Sequence, residues 1–540
     1  MRTFLILLDT PGIKQFVFGT DPLAEVRGAS ALLDRLNREE TRKVLEEAFP
    51  GRVMEAYAAG GAAQFVVTAE DRHTVENVLE RLAALYAKQT GGEVQLLWGI
   101  GEVALGEPGG YRAALKAAFS DLAWQRFTAR EQPAVLTFPL AVECQSTSYL
   151  PATRTRVWAD EIRLVSEASD RKYREISEVN PGRLWAEFIH ALDLPDTVKH
   201  TPHWLRCTTL QEIGEYSESR AGYLGLVYAD GNAMGRLVQE LESLEVARAF
   251  STLVDGSIRD ACHQALKELF RETLAEIRLR SDPSGNHLQL RKIPGDILLL
   301  GGDDLVVVLP AELAVPFSIR LSELFEEYSR QRQEELEEPA RSFFRQRLQG
   351  RGLTISCGVV IAPSRFPFYL LLDLAEELLA SAKKGGSRDP EATRYWVPSY
   401  IDFHIQAGSA VHDLHAIRRE EYGVGTAYVR TFRPYRRDKL QTLCAAAAKL
   451  RGVGIPQSKR HDLLEAALEP RARQAEWKAK ELFGRLAGPF GKQRLALFEG
   501  LCQLAPMDLN DFPWVRQNGG WATALADLME IYDFVQAKEA

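Results

Sequence analysis

"RKIPGDILLLGGDDLVVVLP", residues 291–310, sets two adjacent aspartates, Asp303 and Asp304, inside an otherwise apolar run. An unpaired carboxylate is costly to bury, so the pair needs either an exposed turn or a neutralising cation. ILLL and LVVVL have strand composition. GGDD between them has turn chemistry, with Gly301 and Gly302 free to take positive φ. The stretch reads as a β-hairpin with the aspartates at its tip.

A second apolar run broken by Gly-Gly, MEAYAAGGAAQFVVTA at 54–69, puts Ala62 and Ala63 where Asp303 and Asp304 stand. The flanks repeat as well. RTFLILLDTPGIKQFV is an apolar strand ending at Asp9 and entering a helix, and GYLGLVYADGNAMGRLV is one ending at Asp230. Downstream, EVQLLWGIGEVA (93–104) parallels GLTISCGVVIAP (352–363), pairing Gly99 with Gly358. An amphipathic helix follows each, Tyr111 to Phe127 and Tyr369 to Lys384. Counting from the tyrosines, Lys383 falls opposite Gln125. One copy keeps Asp230, Asp303, Asp304 and Lys383, and the other keeps only Asp9, which reads as a working copy and a retired one.

The repeated strand, helix, hairpin, helix, strand, helix order is that of a ferredoxin-like palm. The fold class expected is α+β: two tandem palms joined by a small linker domain, followed by an all-α domain. The boundaries expected are 1–135, 136–218, 219–398 and 399–540, with a loop insertion at 281–290 (SDPSGNHLQL). The final segment is helical by periodicity, as in WATALADLMEIYDFV.

Bulk properties narrow the function. With 540 residues, 46% of them hydrophobic and 26% charged, the chain is ordinary globular material. A net charge of −8 argues against a chain-wide nucleic-acid coat, so any RNA contact must be local. No stretch is apolar enough to span a membrane, and MRTFLILLDTPGIK lacks a cleavage pattern. Six cysteines without paired spacing fit a reducing compartment, and the cytoplasm is expected. Cys262, Cys357, Cys444 and Cys502 read as small buried hydrophobes.

On a palm, the end of the first strand lies beside the hairpin tip, so Asp230 should face Asp303 and Asp304. Three converging carboxylates select hard divalent cations, two Mg²⁺ or Mn²⁺ ions. Such ions could activate a 3′-hydroxyl and stabilise leaving pyrophosphate. The turn and helix start after Asp230, formed by Gly231, Asn232, Ala233, Met234 and Gly235, should offer amides to a triphosphate. Lys383 would bring a cation to the phosphates, with Ser356 a weaker phosphate contact and Lys384 surface charge.

YADGNAMGRL, LLLGGDDLVVVLP and LTISCGVVIAPSRFPFYLLLDLAEELLASAKKG together resemble the second palm of the large polymerase/cyclase subunit of type III CRISPR effector complexes. That family is a distant relative of GGDEF cyclases and polymerase palms. VRGASALLDRLN (26–37) and the GGAA hairpin resemble its inactive first palm, and the helical tail resembles its C-terminal domain. The resemblance implies ATP-dependent synthesis of cyclic oligoadenylate second messengers for antiviral defence. Guide or target RNA and repeat-associated RNA-binding subunits would be partners, unless the chain is a stand-alone relative. It implies Asp230 and Asp303 as metal ligands, Asp304 as their support and Lys383 on the triphosphate.

Three departures stand out. Asn232 replaces a second acid that relatives often carry, which bears on the second metal. In place of a four-cysteine zinc module the linker offers Cys144, His200, His203 and Cys207, an unusual spacing, and a metal-free linker is expected. The HD nuclease domain common in the family is not expected here, since the sequence as read opens on the palm, and His412-Asp413 and His461-Asp462 read as helix-surface residues, so no DNA cleavage is expected. One basic aromatic stretch, AYVRTFRPYRRDKL (427–440), has Arg430, Arg433, Tyr435, Arg436 and Arg437 arranged to suit single-stranded RNA or a subunit, against a plain charged turn. Two other functions stay open: a non-catalytic scaffold that binds RNA and subunits and senses nucleotide, and a cyclic-dinucleotide synthase using GTP.

Overall fold

A computed structural model of the protein describes residues 1–20, 22–104, 109–129, 141–147, 149–158, 161–176, 181–199, 202–280, 291–408, 413–486, 490–517 and 519–535. The insertion at 281–290 lies outside them.

The first repeat folds as β1 (Arg2–Asp9), β2 (Val53–Ala59), β3 (Ala62–Ala69) and β4 (Leu97–Glu102), in the antiparallel order β2-β3-β1-β4. Along β1, Phe4, Ile6 and Leu8 enter one hydrophobic core while Leu5 and Leu7 enter another. Both faces of the strand are covered, which is why it reads as a continuous apolar run.

The linker region carries the hairpin of β5 (Arg154–Trp158) and β6 (Glu161–Val165), with short helices at Glu167–Glu175, Arg183–Ala191 and Leu210–Glu215. The second repeat gives β7 (Tyr223–Gly231), β8 (Asp296–Gly301), β9 (Asp304–Pro310) and β10 (Ile355–Pro363) in the matching order β8-β9-β7-β10. This sheet does not stop where the sequence places the palm's end. β11 (Tyr400–Ile405) adds parallel to β10, and Tyr435–Arg436 pairs at its edge, so the boundary expected at 398/399 cuts through a sheet.

The C-terminal region is also not all helix. Helices Arg437–Val453, Gln457–Leu468, Ala472–Arg485, Gly491–Leu504 and Leu525–Ile531 are joined by a small sheet of Tyr428–Val429, Gly520–Ala522 and Val515–Gln517. Strands of two or three residues are too short to leave an alternating pattern in sequence. Nor does the basic stretch at 427–440 form an exposed stacking surface. The Arg433 guanidinium is fully buried between Asp527 and Glu530, 2.9 Å from each, and the Tyr435 hydroxyl donates to Asp527 at 2.6 Å. Arg430 donates to the carbonyls of Glu420 and Glu421, while Arg436 and Arg437 pair with Glu391 and Glu326. These cations join the helical region to the palm.

The two palms pack on one another. Arg27 and Arg206 both clamp Asp296 at the start of β8, at 2.6 Å and 2.7 Å, and Phe18 meets Phe368 with ring centroids 5.7 Å apart. Residues of both sheets share one core cluster. No described helix is long and apolar enough to cross a membrane.

Candidate active site

The strand register assembles the site. Asp230, near the end of β7, lies directly opposite Asp304, the first residue of β9, and Gly301 pairs with Asp304 across the hairpin. The two turn residues are therefore Gly302 and Asp303, with Gly302 at φ +63° as a two-residue turn with glycine first requires. Asp303 is at the tip, and its carbonyl accepts from the Gly231 amide at 3.2 Å. Asp304 belongs to the strand.

Lys383 reaches the same corner from the last turns of helix Phe368–Ser387. Its ammonium lies 2.7 Å from the Asp230 carboxylate and donates to the Gly231 carbonyl at 3.1 Å. The helix can lie this close because β10 carries Gly358, where a Cβ would stand 2.2 Å from the Ala375 carbonyl oxygen. A lone glycine in the strand thus sets the height of the lysine.

Negative charge dominates the corner. Burial, then the charges of Asp230 and Asp304, pushes the Asp303 carboxyl well above the usual carboxylate range, against the opposing pull of Lys383. Burial, then Asp230, pushes Asp304 up to about 7, with Lys14 and Lys383 opposing. Lys14 comes from the first palm, pairs with Glu376 at 2.7 Å and sits 4.5 Å over the Tyr228 ring. Tyr57, also of the first palm, is pushed up to about 12 by burial and then by the charges of Asp9 and Asp303. The hairpin tips touch: a Cβ on Gly60 would stand 2.7 Å from the Gly301 carbonyl oxygen.

Sequence reading missed Lys14, Tyr57 and the contact of the tips. Lys14 stands five places after the strand-ending Asp9 in the copy read as retired, and only the packing of the palms marks it.

Register also corrects the internal alignment. Asp9 lies opposite Ala62 as Asp230 lies opposite Asp304, so Gly61 and Ala62, not Ala62 and Ala63, occupy the positions of Asp303 and Asp304. Gly99 sits against Ala118 and Leu122 as Gly358 sits against Ala375 and Leu379, which places Arg126, not Gln125, opposite Lys383. Arg126 holds Asp9 at 2.8 Å, while Gln125 accepts from the Trp98 amide. The first copy has kept its strand-end acid and helix cation and lacks only the turn carboxylates.

The segment after Asp230 divides. Asn232 is 5% exposed: its amide donates to the Thr354 carbonyl, its side chain donates to Thr354 and Val397, and it accepts from Ser356 at 3.0 Å. Ser356 is fully buried and also accepts from the Tyr400 amide. The Asn232 amide and the Ser356 hydroxyl, expected at the phosphates, are instead engaged in framing the loop. Gly231 donates to Asp303, whereas the amides of Ala233, Met234 and Gly235 have no intrachain partner among the described residues. Ala233 takes φ +60° to start the short helix Met234–Val238.

Of the linker set, His200 lies outside the described residues. Cys144 Sγ accepts from the Ser166 amide, Cys207 Sγ donates to the Ile293 carbonyl, and His203 stacks edge-on against Trp204. Cys262 and Cys357 are buried, and Cys444 and Cys502 are partly exposed. His461 pairs with Glu465 on a helix surface, and His412 lies outside the described residues.

Among the described residues, no three His, Cys, Asp or Glu side chains are gathered tightly enough to hold a metal ion as they stand, and Asp230 is paired with Lys383. The donor chemistry of Asp230, Asp303 and Asp304 nonetheless fits a hard divalent cation. Two carboxyls raised by burial and mutual repulsion are what such an ion would relieve.

Comparison with known proteins bears on the domain and the fold. Residues 223–392 match the family model of the Cas10/Cmr2 second palm domain. Csm1 in T. onnurineus superposes with a TM-score of 0.57 at 15% identity, covering 99% of this chain and 70% of that one. A Csm1–Csm4 cassette in complex with cA3 gives 0.54 at 14% identity over the same shares, 99% and 70%. A Csm1–Csm4 cassette in complex with pppApA gives 0.52 at 15% identity over 92% and 69%. No curated protein matches by sequence. The register that sets Asp230 against the GGDD hairpin lies within the part of the chain that matches the Cas10/Cmr2 second palm domain, and the chain as a whole shares the fold of Csm1.

Proposed function

We propose that the protein is a nucleotidyltransferase that condenses ATP into cyclic oligoadenylate-type messengers, acting in type III CRISPR defence under RNA control. The observation that carries this reading is the corner itself: Asp230 opposite Asp304, Asp303 at the turn, and Lys383 on Asp230, all facing the tip of the first palm. Similar folds crystallise as complexes with pppApA and cA3, which suits a site that joins adenylates.

Asp230, Asp303 and Asp304 would hold two Mg²⁺ or Mn²⁺ ions, which when bound supply charge neutralisation for an attacking hydroxyl and a leaving pyrophosphate. The chain's own contribution is positioning. The unpartnered amides of Ala233, Met234 and Gly235 face a triphosphate, and Gly301 and Gly302 let it approach the hairpin. Lys383, released from Asp230, carries its cation to the phosphate oxygens. Lys14 and Tyr57 border the site from the first palm, Lys14 adding positive charge beside Asp304.

The test is incubation of the purified chain with labelled ATP and Mg²⁺ or Mn²⁺, with and without candidate guide and target RNA. A product that is lost in Asp303→Ala/Asp304→Ala supports the reading. Equal output from wild type and variant under every condition overturns it and leaves a nucleotide-sensing scaffold. Competition among the four nucleotides decides between ATP and a GTP-using dinucleotide synthase.

A further inference from the structure

Lys383 uses one side of helix Phe368–Ser387, and the next residue opens onto another cavity. This cavity, of about 440 Å³, lies between that helix and helix Leu414–Glu420 and is bounded by none of the three site carboxylates. Lys384, Arg388, His415 and Arg418 line it. Lys384, Arg388 and His415 have no side-chain partner among the described residues. Arg418 is 8% exposed; one of its nitrogens, Nη2, is held by Asp402 at 2.6 Å, and the other, Nη1, is buried without a hydrogen-bond partner. Nη1 is covered, as is Oδ2 of the same Asp402 carboxylate, so Arg418 gives the cavity wall positive charge rather than a free donor.

The other lining groups narrow the ligand. The Glu377 carboxylate already accepts from the Leu414 amide at 2.8 Å, and Arg433 is spent on Asp527 and Glu530. Leu414, Val424 and Pro434 make the remaining wall apolar. Lys384, Arg388 and Arg418 in one lining suit a doubly charged phosphate monoester, and an apolar wall in a cavity of this size suits a nucleoside attached to it.

We propose that this cavity binds a nucleotide carrying a terminal phosphate, either free or as the 5′ end of an RNA, at a site separate from the catalytic corner but on the same helix as Lys383. The proposal does not depend on the reaction assigned to Asp303 and Asp304.

The experiment uses the full chain in EDTA, so that metal-dependent binding at the aspartates is suppressed. Tetra-adenylate RNA with a 3′ fluorophore, bearing either a 5′-phosphate or a 5′-hydroxyl, is titrated by fluorescence anisotropy. The phosphorylated probe should bind at least about tenfold more tightly, the scale of a lost charge-assisted contact. Lys384→Ala/Arg388→Ala, two exposed positions, should abolish that preference while leaving the urea midpoint and ATP turnover unchanged. Displacement by AMP identifies a free nucleotide as sufficient, and displacement only by unlabelled 5′-phosphorylated RNA identifies an RNA end. Equal affinity for the two probes, or a preference that survives in the double variant, overturns the proposal.

Discussion

At the scale of single residues, two cations with similar partners have opposite expected roles. Lys383 is about one-third exposed, and its ion pair with Asp230 can be exchanged for another acceptor. Lys383→Ala should therefore leave the fold intact and lower turnover by about 10²–10³-fold, the usual range for a donor lost from a reacting centre. Lys383→Arg should recover part of it, as product formation by the two variants will show. Arg433 has no exposed side-chain surface, and Asp527 and Glu530 depend on it. Arg433→Ala should cost about 3–5 kcal/mol of stability, because it leaves buried carboxylates without a partner. Urea unfolding measures this; an unchanged midpoint with weakened RNA binding would restore the exposed reading of the 427–440 stretch. Composition could not separate the two cases, since a basic aromatic run looks the same whether or not Asp527 folds back onto it from nearly a hundred residues away.

At the scale of elements, the hairpins show what sequence carries and where it stops. The apolar runs and Gly-Gly breaks were enough to give both hairpins, the repeat and the palm order, because strand composition and turn chemistry are local. The register was not local. Matching Gly-Gly with Gly-Gly aligns letters, but the turns are built differently: Gly60 and Gly61 are both at positive φ, whereas the second turn uses Gly302 and Asp303. The slip of one residue in the helix, Gln125 for Arg126, has a similar origin, for the tyrosines used as markers do not set the helix height as Gly99 and Gly358 do. The contact of the two tips gives a test at this scale. Gly60 and Gly51 have nearly equal backbone angles, φ +62° and +66°, but a Cβ meets Gly301 at one and nothing within 4 Å at the other. Both alanine variants should lose about 1–2 kcal/mol from the left-handed backbone alone. Only Gly60→Ala should also displace the GGDD hairpin and reduce the proposed turnover, so equal activities in the two variants would deny that the first palm's tip positions the second's.

At the scale of the whole molecule, the palm sheet and the helical region are welded by buried charge, and this junction should set the acid limit of stability. His404, on β11, is 7% exposed, and burial followed by the charges of Arg418 and Arg433 pushes its imidazole down to about 3; a hydrogen bond with Gln406 opposes the shift only in part. Asp402, two residues before it on the same strand, is taken by Arg418. His263, packed between Phe188 and the helices around it, is likewise pushed down, to about 4, by burial and then by Arg259. A histidine whose folded pKa is depressed favours the folded state above its unfolded pKa, near 6.5. That contribution is lost as the pH falls toward the folded value, because the unfolded chain takes up the proton first. For His404 the loss between pH 7.5 and pH 5.0 should be roughly 2 kcal/mol, from about 1.4 kcal/mol per unit of pH below 6.5. Urea unfolding across that range should show a declining midpoint, and His404→Gln, which cannot take up the proton, should flatten the decline. A slope unaltered by the substitution would place the acid sensitivity elsewhere and separate it from the junction where Arg418 and Arg433 hold the helical region to the palm.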